Sequence, residues 1–127
     1  MKDHNHVYMK NKAVKDMDGK LAKVILERSM DGVPLANVER RVIVHSPDGF
    51  EWGYGGSGPT DLSLNILLEY TDEEAAKKLY KTFKNDVICN ISHEGAVIPR
   101  EFIEHWIFFN SGSKEDRDEF NRTVMWR

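Results

Sequence analysis

Apolar and polar positions alternate over short stretches in the first half of the chain and recur at three- and four-residue intervals in the second. The first pattern is that of strands with one face buried, the second that of helices. Val7-Tyr8-Met9 makes a short strand, and Asp16-Met17-Asp18-Gly19 marks a turn. Leu21–Arg28 fits either a helix face or a half-buried strand, because Val24-Ile25-Leu26 is β-prone, and Asp31-Gly32-Val33-Pro34 closes it. Val38–Val44 then runs into Ser46-Pro47-Asp48-Gly49, beyond which Phe50–Tyr54 alternates aromatic with small or charged residues. Strand, turn and strand predict a hairpin across Pro47-Asp48-Gly49, with Phe50, Trp52 and Tyr54 on one face.

Pro59 opens the helical half, with Thr60 and Asp61 in the first turn, where a carboxylate favours the positive end of the helix dipole. Leu62, Ile66, Leu67 and Tyr70 make an apolar stripe that Leu64 and Leu68 broaden. Thr71-Asp72-Glu73-Glu74 reads as a capping box, Thr71 serving as N-cap, for a second helix with its stripe at Ala75, Ala76, Leu79, Tyr80 and Phe83. Gly95 interrupts, Pro99 starts a third helix carrying Phe102, Ile103, Trp106 and Ile107, and Asn110-Ser111-Gly112 stops it. Residues 113–127 read as a weak helix or an arm, and residues 1–6 as a flexible N-terminus. The expected class is α+β in one domain: an N-terminal antiparallel sheet of three to four strands, then three to four helices packed on one face.

Composition narrows the partners. Of the 127 residues 40% are hydrophobic and 31% charged, with a formal charge of −3 from interspersed acids and bases. Neither Lys10, Lys12 and Lys15 nor Arg40 and Arg41 builds the dense basic face that duplex nucleic acid demands. No stretch approaches the roughly 20 apolar residues of a membrane span, and the N-terminus lacks a secretory apolar core, so a cytoplasmic protein is expected. Cys89, the single cysteine, lies in the apolar run Val87–Ile91 and reads as a buried small hydrophobe.

The densest signal is residues 49–62, where glycines surround two large aromatics before Pro59. Three readings apply. Glycines beneath Trp52 and Tyr54 could simply allow close packing before a helix. Alternatively, the amides of Gly55, Gly56, Ser57 and Gly58, with Thr60, converge on a phosphate or carboxylate at the helix start. Trp52 or Tyr54 then stacks on a ring, and Arg40 or Arg41 adds charge from the preceding strand. In the third reading the aromatics anchor a protein partner. Gly53 to Gly58 has Walker spacing, but Pro59-Thr60 replaces the lysine and Ser/Thr of a P-loop. The same stretch matches G-x-G-x-x-G without a βαβ unit, so neither standard nucleotide fold applies.

From His45 to Leu64, and above all over Gly49-Phe50-Glu51-Trp52-Gly53-Tyr54-Gly55-Gly56-Ser57-Gly58-Pro59, the chain resembles a family of small proteins of unknown function found in phages, prophages and bacteria. Thr60 and Ser63 stand where that family usually has smaller residues such as alanine. The resemblance implies a phage or prophage accessory protein and a similar strands-then-helices layout. It carries over no reaction, ligand or catalytic residue.

Remaining constellations are weaker. His4 and His6 make at most a pair where zinc needs three or four ligands, so no metal and no cofactor are expected. His45, Asp48, Glu51 and Asp61 are acid–base candidates without an assigned catalytic role, and Ser57 sits in no nucleophile elbow. The expectation is a non-catalytic binder of a host protein or a small anionic, nucleotide-like ligand. The alternatives are an enzyme acting on a nucleotide or phosphoester and a self-associating accessory protein, the latter drawing on Trp106, Phe108, Phe109 and Trp126.

Overall fold

The computed structural model describes residues 6–112. Within them lie β1 (Val7–Tyr8), β2 (Lys23–Arg28), β3 (Pro34–Ala36), α1 (Ser57–Tyr70), α2 (Glu73–Asp86), β4 (Ala96–Pro99) and α3 (Arg100–Ser111), with 3-10 turns at Lys10–Lys12 and Ile88–Asn90. The protein is α+β. The arm or helix expected over 113–127, and all but His6 of the expected flexible N-terminus, lie outside the described residues.

Strand order is β1-β3-β2-β4. β2 pairs antiparallel with both neighbours, while β1 joins β3 in parallel through Val7↔Leu35. The sheet is therefore mixed, where an antiparallel one was expected. Leu21–Arg28 resolves as a strand: Val24 and Leu26 turn into the core, and Ile25 and Glu27 lie half-buried on the other face. The sheet's fourth strand comes from after α1 and α2, at Ala96–Pro99, a stretch expected only to introduce α3. Gly95 makes that junction possible. Its φ is +118°, and a Cβ there would collide with the Leu26 carbonyl; only glycine combines that conformation with so close an approach.

The hairpin expected between Val38–Val44 and Phe50–Tyr54 does not form; residues 37–56 are irregular. The amides of Arg41, Val42, Val44, His45 and Ser46 are bonded to side chains of α1, and the Gly53 amide to the Ile88 carbonyl. Those donors are no longer available to a strand ladder.

α1 begins at Ser57, two residues before Pro59, whose lack of an N–H costs nothing within the first turn. Thr71 ends α1, its amide bonded to Leu67, and Asp72 caps α2 by accepting from the Ala75 amide at 2.8 Å. The cap thus lies one residue later than expected, because α1 consumes Thr71. Leu62, Ile66 and Leu67 of α1 join Val24, Leu26, Ala36, Phe83, Ile88, Ile98 and Ile103 in one buried cluster. Full burial of each large side chain is worth about 1.5–3 kcal/mol.

Candidate functional site

α1 is buried nearly all round although it is not apolar all round. Asp61, Asn65 and Glu69, spaced i, i+4 and i+8, form a buried polar stripe beside the apolar one. The Asp61 carboxylate accepts from the amides of Val44, His45 and Ser46 at 2.8–3.1 Å. Asn65 accepts from the amides of Arg41 and Val42 and donates back to the Val42 carbonyl. Glu69 accepts from the Leu21 amide, Lys15 and Arg41. The stripe fastens residues 41–46 to α1 through bonds a sheet would otherwise have supplied. Asp61 is thus a receptor for the 44–46 backbone, not merely a residue favoured by the helix dipole.

Residues 49–58 are held differently. Phe50 and Trp52 turn into the core, 0% and 1% exposed, while Tyr54 points out at 53%. The three rings do not share a face. The Trp52 indole donates to the His93 carbonyl at 3.1 Å and lies under the Arg28 guanidinium, 4.5 Å from the ring centroid. Arg28 forks onto the Glu51 carboxylate at 2.7 and 3.1 Å and also donates to the carbonyls of His93 and Gly32. One arginine thereby joins three loops. Next along the chain, Gly58 packs so tightly that a Cβ would stand 2.8 Å from that of Glu51. The loop is clamped at both ends and Tyr54 projects between the clamps.

The eight residues expected to bind a ligand separate accordingly. Tyr54, Gly55, Gly56, Ser57, Gly58 and Thr60 lie together at the start of α1. The Tyr54 ring covers Gly56, where a Cβ would strike it, whereas the space beside Gly55 is open. Thr60 is buried, its hydroxyl donating to the Gly56 carbonyl at 2.8 Å. Among the described residues none offers an acceptor to the amides of Gly55, Gly56, Ser57 or Gly58. Trp52 belongs to the scaffold, its ring sealed from solvent. Arg41 is bound to the Leu68 carbonyl and Glu69, about 15 Å along α1 from Gly58 at the usual helical rise.

Acid–base candidates do not converge either. Asp61 is occupied by amides, Glu51 by Arg28, and the His45 Nε2 by the Tyr80 hydroxyl at 3.0 Å. The Tyr54 phenol is pushed up by partial burial and then by the Glu51 carboxylate, with Arg28 opposing. His6 stacks on Phe50, centroids 4.2 Å apart, and accepts from the Phe50 amide at 3.0 Å. Burial, with Arg40 nearby, holds it down at about 4. Cys89 is half-buried, its thiol donating to the Asn85 carbonyl. Among the described residues no cluster of three or more metal-ligating side chains occurs, and no helix is long and apolar enough to cross a membrane.

Sequence reasoning missed Arg28, which periodicity marks only as a strand end. It also missed the polar stripe, although the spacing of Asp61, Asn65 and Glu69 within an apolar helix carried that signal. Residues 11–108 match a family of unknown function, DUF6166, and the chain belongs to it. No curated protein and no solved structure matches the chain.

Proposed function

Taking membership of that family as the premise, we propose a non-catalytic accessory protein of phage or prophage type that acts in the cytoplasm by binding a host protein through the Tyr54 loop. One observation carries this: Tyr54 is more than half exposed on a loop whose flanks are locked by Trp52, Arg28 and the Gly58–Glu51 contact. A large amphipathic ring on a rigid support loses little entropy on contact, which is why tyrosine dominates binding hot spots. The phage or prophage assignment rests on the resemblance of the Gly49–Pro59 stretch alone.

A small anion is the second reading, favoured by amides at the positive end of α1 that have no acceptor among the described residues. It is the weaker of the two. Trp52 cannot stack on a base, and Arg28 and Arg41 are both spent on carboxylates. Glu51 beside Tyr54 also repels an anion.

Capture of partners from a lysate of the natural host tests the first reading. Tyr54→Ala should release the captured protein while the fold melts unchanged; retention of the same protein by that variant would overturn it. Thermal shift against nucleotides tests the second. A ligand at 100 times its Kd should add about 2.7 kcal/mol of stability, and absence of any shift removes that reading.

A further inference from the structure

α3 has two apolar faces. Ile103 and Ile107 enter the core, whereas Phe102, His105 and Phe109, spaced i, i+3 and i+7, follow one another along its flank. Phe102 is 48% exposed, and the His105 and Phe109 rings stack with centroids 5.6 Å apart. With Trp106, and with Asp86 at the end of α2, they line a cleft of about 590 Å³. Trp106 is fixed in place: its ring meets Phe83 edge-on, centroids 4.9 Å apart, and its indole N–H donates to Asp86 at 3.0 Å.

The cleft is acidic as well as aromatic, since Asp86 and Glu101 stand in its wall. Arg100, the cation next to Glu101 in the chain, is spent on Asp16, Asp18 and Glu104. Such a cleft suits a segment that brings large apolar side chains together with arginine. The chain carries one shortly after α3: over 120–127, Phe120, Val124, Met125 and Trp126 are interleaved with Arg122 and Arg127, and no acid occurs. Reach is sufficient. Residues 113–119 can span about 25 Å when extended, against about 15 Å from Gly112 back to Phe102 at the usual helical rise. Tethering also decides between occupants. So short a connection holds the segment at an effective concentration on the order of millimolar, ahead of any free partner of the same chemistry at micromolar levels.

We infer that residues 120–127 dock in this cleft of their own chain, the large apolar side chains against Phe102 and Phe109 and the arginines toward Asp86 and Glu101. The segment acts as a strap: a partner of the same aromatic and basic chemistry gains the cleft only by displacing it. The contact does not draw on the Tyr54 loop.

Fluorine NMR on the full chain labelled with 5-fluorotryptophan reads it directly. The Trp126 resonance is the one lost in Trp126→Phe. In the wild type it should shift as little between H2O and D2O as that of Trp52, whose ring is 1% exposed. Phe102→Lys and, separately, Glu101→Lys should carry the Trp126 resonance toward the full solvent shift, while an unmoved Trp52 resonance reports that the fold is intact. Tyr54→Ala should leave both resonances in place. The wild type should sediment as a monomer, and the covered state of Trp126 should persist on dilution. A wild-type Trp126 with the full solvent shift, a covered Trp126 indifferent to both cleft variants, or one covered only where the chain sediments as a dimer would each overturn the inference.

Discussion

Residues 41–46 and 49–56 are adjacent, both irregular, and both run against α1, yet different physics holds each. The first is fastened by hydrogen bonds from Asp61 and Asn65, its apolar side chains left facing out. The second is fastened by packing: Phe50 and Trp52 are sunk into the core, Arg28 lies over the indole, and Gly58 is pressed against Glu51. A loop held by its backbone can display apolar ridges such as Ile43 and Val44. A loop held by its side chains displays only what the anchors omit, here Tyr54 and bare glycine backbone.

The comparison breaks first at Trp52. Trp52→Ala should cost about 3–5 kcal/mol in urea denaturation, the range for emptying a large aromatic site. A loss under about 1 kcal/mol would mean that the indole is not the anchor of its loop. Asp61→Ala comes next. It strands three amides for which desolvation costs about 1–3 kcal/mol each, partly recovered by water, so about 3 kcal/mol in all is expected. Amide exchange should rise at Val44, His45 and Ser46 and stay protected at Gly53; uniform exchange across both loops would erase the distinction.

A smaller effect concerns His6, which braces the second loop through Phe50. Its folded value of about 4 lies below the ordinary 6.5. The unfolded chain therefore takes up a proton that the folded one resists, and stability is lost as pH falls from 6.5 to 4, then levels off. His6→Phe should flatten that part of the Tm-against-pH curve; an unchanged difference between the two curves would place the sensitivity elsewhere. The smallest expected change is Tyr54→Ala, under about 0.5 kcal/mol for an exposed side chain. A larger loss would make Tyr54 part of the clamp, with no ring left to offer a partner.

The α+β class, the three helices and the turns around Leu21–Arg28 were legible because each rests on local periodicity and on punctuation by glycine, proline and acid caps. The concentration of information at residues 49–58 was legible too, since glycines crowded against aromatics imply close backbone approach. The partition of that segment was not. Alternation placed Phe50, Trp52 and Tyr54 together, but alternation holds only where a strand exists, and here the neighbouring amides had already been claimed. Likewise Arg41 looked adjacent to the glycine loop as long as a hairpin was assumed, and without one it belongs to the far end of α1.

Local pattern sufficed to choose helix against turn and to mark which helical faces are apolar, because those choices depend on residues within a few positions of one another. Only the folded chain decided which partner each backbone amide would take, that Ala96–Pro99 would complete the sheet, and that Arg28 would meet Trp52. Such contacts link residues tens of positions apart, and their outcome is set by competition between side-chain and main-chain acceptors within one shared core.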